Sequence, residues 1–447
     1  MFKPRLNQTR ILEYESGKMG ISAVPGSGKT HTLSYLAAQL ILKGGLQNEQ
    51  EILIVTLVNS AVDNFTNRIA GFVREARLLE NVGYRVRTLH GLGHDIIQER
   101  PDLAGISSQF SIIDDVETDR MIEQIAIAYA RVHPEIADFL LKPDVDLAAA
   151  SRARSGWPEL ITTLNQNFIK QAKDLAAEPE DILDKMRQFN YSNLLLEMGV
   201  EVYQQYQRGL RYRNALDFSD LIRLAYRALQ NDMAYTDRLR HRWPYILEDE
   251  AQDSSRLQQE ILSLLAGPKG NWVRVGDPKQ AIMSTFTAAD PRFFRAFLSR
   301  PDVITLPLTE SGRSAAIIIG LANRLVRWAC EEHPVPEVRQ LAFHLQAIEP
   351  TGPGDVQPNP PDAESQIEIR VYRHREEEEL PTIARAAWEK ATSHPEQTVA
   401  ILVPTNESGY GVARQLDKLS APYDELLRGG GRAREIASSL HGILGIL

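Results

Sequence analysis

The sequence predicts a parallel α/β fold, and three observations support this prediction. Short apolar segments typical of buried strands alternate with segments whose apolar residues recur at helical spacing. A glycine-rich loop stands between the first of these strands and the helix that follows it. Between residues 101 and 202 the strand signals disappear and only helical periodicity remains. We therefore expect a sheet that carries its ligands at the carboxyl edge of its strands and is interrupted by a helical insertion.

A motif typical of phosphate-binding loops joins the first predicted strand, residues 20–24, to the first predicted helix. The glycines of such a loop allow backbone N–H groups to surround a phosphate, and the helix N-terminus adds partial positive charge. Lys29 can then reach the β and γ phosphates, and Thr30 can ligate Mg²⁺. Ala23 stands where the usual pattern has its first glycine, and an ordinary glycine-rich turn is the alternative interpretation. We predict nucleotide contacts for Ala23, Pro25, Gly26, Ser27, Gly28, Lys29, Thr30 and His31.

The later strands of the prediction divide the chain into three parts. Buried strands are predicted at residues 52–56, 84–88, 245–247 and 272–275, and helical patterns separate them. A second α/β pattern is predicted to begin with a strand at residues 303–308 and to continue with strands at 367–372 and 399–403. We predict a first sheet domain from residues 1–100 and 203–301, a helical insertion at 101–202, and a second α/β domain at 302–447.

Polar groups suited to nucleotide hydrolysis follow two of the predicted strands. Asp249 and Glu250 stand together after the strand at 245–247, where one carboxylate can hold Mg²⁺ and the other can deprotonate water. Gln280 closes the segment that follows the strand at 272–275, and its amide can sense a γ-phosphate by hydrogen bonding. Either segment alone is more often a polar loop. Their order after the glycine-rich loop favours a nucleotide site.

Composition places this chain among globular proteins. Its 447 residues suggest about three domains, and 43% hydrophobic with 24% charged residues is ordinary soluble composition. No apolar run approaches membrane-spanning length, and the N-terminal residues lack the core of a signal peptide, so a cytoplasmic protein is expected. The single cysteine, Cys330, excludes an internal disulfide and a Cys-cluster zinc site. A net charge of −9 disfavours nucleic-acid binding by bulk charge, although arginine clusters at 68–87 and 208–227 could form local basic surfaces or solvated helix faces.

The ordered series of motifs resembles the UvrD/PcrA/Rep-like group of superfamily 1 DNA helicases. An ordered series is far more specific than any one motif. The matching segments are Leu6-Asn7-Gln8, the glycine-rich loop, Thr56-Leu57-Val58-Asn59-Ser60-Ala61, Thr88-Leu89-His90-Gly91-Leu92, Leu216-Asp217-Phe218-Ser219-Asp220-Leu221, Asp249-Glu250-Ala251-Gln252-Asp253, Gly276-Asp277-Pro278-Lys279-Gln280-Ala281-Ile282 and Ser311-Gly312-Arg313-Ser314.

The resemblance implies a P-loop NTPase with RecA-like parallel-sheet motor domains, a helical insertion in the first and an incomplete second. It implies that Gln8 reads the adenine, that Thr30 and Asp249 hold Mg²⁺, and that the second motor domain contributes an arginine to the γ-phosphate. The residues with implied catalytic roles are Lys29, Glu250, Gln280 and Arg313. The residues with implied contacts to single-stranded DNA are Thr56, Asn59, Thr88, His90 and Phe286.

Four positions depart from the pattern of this group. Leu57 and Met283 stand where aromatic residues usually stack on bases, and Phe286 either replaces one of them or belongs to the core. Gly312 stands where a tyrosine commonly packs on the adenine. Glu248 replaces an apolar residue that precedes the acidic pair. Weaker base stacking is expected from Leu57 and Met283, and looser nucleotide selectivity from Gly312.

The function that the resemblance implies is ATP-driven translocation, 3′ to 5′ on single-stranded DNA, with duplex unwinding in DNA repair or recombination. Its cofactors are ATP and Mg²⁺, its partners are single-stranded and duplex DNA without a membrane, and protein partners are not implied. The later motifs of the group have no counterpart, so we expect the N-terminal portion of a longer helicase, with completion by another chain as the alternative. Two other classes stay open: an ATP-switched nucleic-acid-binding protein without unwinding activity, and an RNA-dependent motor.

Overall fold

The computed structural model describes residues 3–77, 79–80, 82–136, 157–281, 289–339 and 346–427. These residues fall into two compact units, which divide between Ser365 and Gln366. Among the described helices, none combines the length and the apolar character that crossing a membrane requires.

Six parallel strands form the large sheet of the first unit, in the order β3-β2-β6-β7-β1-β8. This arrangement confirms the parallel α/β class that the sequence predicts. The strands are β1 (Lys18–Ala23), β2 (Ile52–Thr56), β3 (Tyr84–Thr88), β4 (Ser111–Ile112), β5 (Ala215–Leu216), β6 (Tyr245–Glu248), β7 (Asn271–Gly276), β8 (Val303–Leu308), β9 (Glu310–Ser311) and β10 (Glu349–Pro350).

Helices cover both faces of the large sheet, because its strands are apolar on both sides. In β2, Leu53 and Val55 pack into one apolar cluster while Ile52 and Ile54 pack into the other, as the two-residue period of a strand requires. The helices are α1 (Leu6–Leu12), α2 (Lys29–Leu42), α3 (Asn59–Glu75), α4 (Leu89–Glu99), α5 (Pro101–Ala104), α6 (Asp115–Val132), α7 (Trp157–Asp174), α8 (Pro179–Gln188), α9 (Leu194–Tyr212), α10 (Phe218–Asn231), α11 (Met233–Arg242), α12 (Arg256–Ala266), α13 (Pro291–Leu298), α14 (Ala316–Glu331), α15 (Leu380–Ser393) and α16 (Asn406–Lys418).

The helical insertion has an apolar core of its own. Helices α6, α7 and α9 pack around this core, which runs from Ile113 to Ala215 and is closed by the short parallel pair of β4 and β5. The domain boundary expected between residues 202 and 203 falls inside α9. The sequence has no helix-breaking residue at that point, so the helix continues to Tyr212.

The strand at residues 303–308 belongs to the first sheet, although the sequence leads us to expect that it opens a second. Strand β8 pairs in parallel with β1 over its whole length, from the register pair Lys18 and Val303 to the pair Ala23 and Leu308. The choice of sheet depends on pairing between residues nearly 300 positions apart, and no local pattern in the sequence encodes such pairing.

The second unit is built on a small core shared by α15 and α16, which includes Leu380, Ala384, Val412 and Leu416. The strands predicted at 367–372 and 399–403 are wrong, because these residues have no regular strand structure. An apolar residue at alternate positions stabilises a strand only when one face is covered and a neighbouring strand accepts its hydrogen bonds. Here apolar residues of the two segments, such as Val371 and Leu402, are more than nine-tenths exposed.

Candidate nucleotide site

The carboxyl ends of the six large-sheet strands lie along one edge, as they must in a parallel sheet. The glycine-rich loop follows β1, the acidic pair follows β6, and Asp277 follows β7. The turn at residues 311–314, which begins in β9, follows β8. The segments that the sequence predicts to act together are therefore neighbours in the structure.

The glycine-rich loop has the backbone conformation of a phosphate-binding loop. Gly26 and Gly28 have φ angles of 75° and 81°, in the left-handed region, and Gly28 is the N-cap of α2. The buried Ser27 hydroxyl donates to the Val24 carbonyl oxygen at 2.7 Å, which ties the loop to itself. Gly26 also lies against the turn after β8, since a Cβ atom there would be 2.6 Å from the Cβ of Arg313. A larger residue at position 26 would push this turn away from the loop.

Lys29 and Glu250 form an ion pair across the site. The Lys29 Nζ lies 2.9 Å from the Glu250 Oε2, and the Lys29 side chain is 11% exposed. The same Glu250 oxygen accepts a hydrogen bond from the Gln252 Nε2 at 2.8 Å. Glu250 has a φ angle of 53°, so the chain turns sharply between the two carboxylates. These contacts bring together the predicted phosphate-binding lysine and the predicted base.

Asp249 and Thr30 lie beside this pair and have the properties of cation ligands. The Thr30 Oγ1 is 3.4 Å from the Asp249 Oδ2, while the buried Asp249 Oδ1 has no hydrogen-bond partner among the described residues. Burial raises the pKa of Asp249 to about 7, Glu250 adds to the effect, and Lys29 opposes it. The described residues contain no cluster of three His, Cys, Asp or Glu side chains able to hold a metal. One carboxylate and one hydroxyl fit Mg²⁺, which usually takes its other ligands from water and phosphates.

A chain of hydrogen bonds connects the acidic segment to the segment after β7. The Gln252 Oε1 accepts from the backbone N–H of Asp277 at 3.0 Å, while its Nε2 donates to Glu250. The Gln280 Nε2 in turn donates to the Asp277 Oδ2 at 2.7 Å. Gln280 is thus linked to Glu250 through Asp277 and Gln252. No role is predicted for Gln252 from the sequence, although it belongs to a segment that carries the resemblance.

Gln8, Arg313 and His31 occupy different surroundings at this site. The buried Gln8 donates from its Nε2 to the Ser27 carbonyl oxygen at 3.2 Å, so it contacts the glycine-rich loop directly. Arg313 is exposed on the turn that touches Gly26. The His31 ring packs edge-on to Phe72 at 5.4 Å, and burial lowers its pKa.

The predicted DNA-contacting residues lie at the ends of β2 and β3, beside the acidic segment. Thr56 and Thr88 are register partners at these two strand ends, and β2 also pairs with β6. Asn59 is exposed in the first turn of α3, and the Thr88 Oγ1 caps α4 by accepting from the Gly91 N–H. The partly buried His90 ring lies 5.7 Å from that of Phe218, and burial lowers the pKa of His90. Phe286 and Met283 lie outside the described residues.

Glu248, which departs from the expected apolar pattern, has a buried partner on the next strand. Its Oε2 lies 2.7 Å from the Arg274 Nε, its Oε1 accepts from the Arg274 Nη2 at 3.1 Å, and both side chains are at most 1% exposed. Trp272 and Ser254 also donate to this carboxylate. This pair is not predicted from the sequence, although a single charged residue in each of two otherwise apolar neighbouring strands is a signal that could reveal it.

A parallel sheet with a glycine-rich loop after β1 and an acidic pair after β6, at the same edge of the sheet, defines a P-loop NTPase of the RecA-like type. The family model of the UvrD/REP helicase N-terminal domain matches residues 5–302. The chain belongs to this family.

Named relatives agree with this assignment. The chain is 29% identical over 328 residues to "ATP-dependent DNA helicase Rep" of Escherichia coli, a match that covers 72% of this chain and 43% of that protein. The Rep protein of Salmonella typhimurium is 28% identical over the same shares. "ATP-dependent DNA helicase UvrD1" of Mycobacterium tuberculosis is 29% identical over 71% of this chain and 38% of the relative. The chain therefore spans less than half the length of these relatives.

Proposed function

We propose that this chain binds and hydrolyses ATP with Mg²⁺, and that the hydrolysis drives movement on single-stranded DNA and unwinding of duplex DNA. The observation that supports this most is the placement of Lys29 against Glu250 and of Thr30 against Asp249 at one sheet edge. The names of the relatives, ATP-dependent DNA helicases, agree with this function. The 3′ to 5′ direction and the role in repair or recombination follow from the resemblance only.

Each residue of the site has a role in this proposal. Thr30 and Asp249 would hold Mg²⁺, which when bound neutralises charge on the phosphates. Binding of a phosphate draws Lys29 away from Glu250, because the lysine gains a more highly charged partner. The Glu250 carboxylate, still held by Gln252, then accepts a proton from water.

Two residues respond to the state of the phosphate. Gln280 is linked to Glu250 through Asp277 and Gln252. A hydrogen bond from Gln280 to the γ-phosphate would therefore change the hydrogen bonding of Glu250, the proposed base. Arg313 stands on the turn that touches Gly26 and would neutralise charge that develops on the γ-phosphate. Gln8 also contacts the glycine-rich loop, which places it near a bound nucleotide.

The DNA part of the proposal rests on the neighbouring strand ends. Thr56 and Thr88 end β2 and β3, and Asn59 and His90 follow these two strands. In the sheet, β2 lies between β3 and β6, the strand that the acidic pair follows. A strand of DNA held there would contact the segment next to the site of hydrolysis. Such contacts are made largely to the backbone, so binding should weaken as salt concentration rises.

Nucleotide binding and turnover of the Lys29→Ala variant test the proposal. We expect Lys29→Ala to abolish binding of ATP with Mg²⁺ in a calorimetric titration, because it removes the cation of the loop. Lys43→Ala, at an exposed lysine after α2, is the matched control and should bind as the unaltered chain does. Equal ATP affinity of the Lys29→Ala variant and the control would refute the site. Binding without any turnover, with or without single-stranded DNA, would favour the ATP-switched binding protein instead.

A further inference from the structure

The turn that carries Arg313 is held by one asparagine. The Asn359 Nδ2 donates to the carbonyl oxygens of Ser311 at 2.6 Å and of Ser314 at 2.8 Å, on either side of Arg313. Its Oδ1 accepts from the backbone N–H of Thr351 at 2.7 Å and from the Thr351 hydroxyl at 2.9 Å. An amide side chain has two N–H donors and two acceptor lone pairs, and all of them are used here.

Arg5 forms a second contact between the turn and the segment from Thr351 to Asn359. Arg5 binds Asp355 through two parallel hydrogen bonds, of 2.7 Å from Nε and 3.1 Å from Nη2. The Arg5 Nη1 also donates to the Glu310 carbonyl oxygen, at 3.3 Å, just before the turn. The backbone N–H of Arg5 donates to Gln8. The segment from Thr351 to Asn359 is thereby joined to the turn, and through Arg5 to the residue that contacts the glycine-rich loop.

Close packing leaves this turn little room on either side. A Cβ atom at Gly312 would lie 2.3 Å from the Gln357 carbonyl oxygen, so no larger residue fits there while the segment 351–359 is in place. On its other side, the turn lies against Gly26 of the phosphate-binding loop. The space beside Gly312, where related proteins commonly have a tyrosine side chain, is therefore occupied by the segment that Asn359 holds.

We propose that Asn359 is a positioning residue for hydrolysis, which fixes the backbone on both sides of Arg313 against the glycine-rich loop. The inference rests on the proposed role of Arg313 and adds the group that places it. Without the amide, two carbonyl oxygens and Thr351 lose their partner, and the turn can move away from Gly26. A displacement of about 1 Å at a catalytic group can lower turnover about 10²-fold, so we expect a loss of 10- to 100-fold in kcat for Asn359→Ala.

Steady-state ATP hydrolysis by the chain, with Mg²⁺ and single-stranded DNA, tests this inference. Asn359→Ala should lower kcat and leave KM for ATP unchanged within about twofold, because the loop and Lys29 are untouched. The kcat of Asn359→Asp should fall at least as far as that of Asn359→Ala, since aspartate keeps the acceptor for Thr351 but has no N–H for the two carbonyl oxygens. Asn323→Ala is the matched control: Asn323 binds the backbone of Ile348 through both amide atoms at 2.8 and 2.9 Å but does not contact the turn. Its kcat should be unchanged.

The Arg313→Ala background separates positioning from a general structural role. If Asn359 acts through Arg313, Asn359→Ala should lower kcat no further in a chain that already carries Arg313→Ala. Additive losses would overturn the inference. Hydrogen exchange of the 311–314 amides, faster in Asn359→Ala than in Asn323→Ala, gives a readout independent of activity. If Asn359→Ala does not fold, Thr351→Val replaces it and should give a severalfold loss of kcat that also vanishes in the Arg313→Ala background.

The two proposals fail in different ways. If Arg313→Ala leaves kcat unchanged, or the chain shows no turnover, the proposed role of Arg313 is wrong and the inference falls with it. If Arg313→Ala lowers kcat strongly while Asn359→Ala and the control Asn323→Ala have the same kcat, only the inference about Asn359 is refuted.

Discussion

Two clusters of buried charge lie in the first unit, and they differ in what they connect. The sheet pair, Glu248 and Arg274, joins the last residue of β6, which precedes Asp249, to the middle of β7. The insertion cluster joins helix α7 to the start of α10: the Lys173 Nζ lies 2.5 Å from Asp217 and 2.9 Å from Asp220, and Arg223 also binds Asp220. Both clusters are almost entirely buried.

The two clusters are equally buried, but they differ in their distance along the chain from the nucleotide site. Glu248 accepts hydrogen bonds from Trp272 and from Ser254, the residue after the acidic segment, so a change there reaches the nucleotide site through one short loop. The insertion cluster holds elements 44 residues apart in sequence and, among the residues that the structure describes, forms no ion pair with a residue of the nucleotide site. We therefore expect the sheet pair to affect turnover, and the insertion cluster to affect stability.

The largest expected effect is the loss of kcat in Glu250→Gln, which shows how far turnover falls when the base is removed and the fold is unchanged. Glu250→Gln removes the proton acceptor but keeps the shape of the side chain, so kcat for ATP should fall about 10³-fold. Nucleotide affinity and the thermal unfolding temperature should stay close to those of the unaltered chain. Glu159→Gln, at an exposed position of α7, is the matched control. A loss of ATP affinity as complete as that of Lys29→Ala would show that Glu250 is not the base.

The next largest effect concerns the insertion cluster. Lys173→Met leaves Asp217 and Asp220 buried without the lysine that neutralises them, and the free energy of unfolding in a urea titration should fall by about 3–5 kcal/mol. The kcat per folded molecule should not change. Lys185→Met, at an exposed position of α8, should alter neither quantity. A fall of kcat in folded Lys173→Met protein comparable with that of Glu250→Gln would remove the distinction between the two clusters.

The sheet pair can be tested by removing both charges together. Replacement of Glu248 and Arg274 by leucine in one chain leaves no unpaired charge, so its stability should lie within about 1–2 kcal/mol of the original. The single variant Glu248→Leu leaves the buried Arg274 without its carboxylate partner and should be much less stable. In the double variant kcat should still fall about 10-fold, because Ser254 and the loop before it lose their anchor, an effect of the size that displaced catalytic groups produce. An unchanged kcat would mean that the sheet pair is as remote from the chemistry as the insertion cluster.

These regions also differ in how well the sequence predicts them. The glycine-rich loop, the strands of the first sheet up to β7 and the acidic pair are encoded by local patterns. A parallel sheet then brings their ends together without further information. The meeting of Lys29 with Glu250, 221 residues apart, follows from that rule.

Contacts that depend on pairing between distant segments could not be predicted in this way. The partner of Glu248 is known only once β6 and β7 are in register, and the sheet to which β8 belongs only once it pairs with β1. Asn359 lies 48 residues after Ser311 in a segment rich in proline and glycine, where no periodic pattern indicates a contact. The wrong strands at 367–372 and 399–403 have the reverse cause, since a local strand pattern has no strand beside it in the described residues.

The smallest expected effect, taken per pH unit, contrasts an aspartate of the nucleotide site with one of the insertion cluster. Burial raises the pKa of Asp249 to about 7, whereas at Asp220 the opposing effect of burial is outweighed by Lys173 and Arg223, which hold its pKa well below the usual value. An unfolded aspartate titrates near pH 4. The folded protein therefore binds the Asp249 proton more tightly than the unfolded chain does. Its stabilising contribution is fully present below about pH 4 and is lost as the pH rises through about 7. Asp220 has the opposite sign, because its contribution is present above about pH 4 and is lost as the pH falls.

Urea titrations between pH 5 and 8, with EDTA and without nucleotide, can separate these signs. Asp249→Asn should remove a decline in the free energy of unfolding of at most about 1.4 kcal/mol per pH unit between pH 5 and 7. Asp184→Asn, at an exposed position of α8, should keep the original slope. Added Mg²⁺ should reduce the decline in the unaltered chain, because a cation at Asp249 favours the ionised carboxylate. If Asp249→Asn and Asp184→Asn show the same slope, Asp249 is not the buried, uncompensated acid that the structure indicates, and the cation site loses its main support.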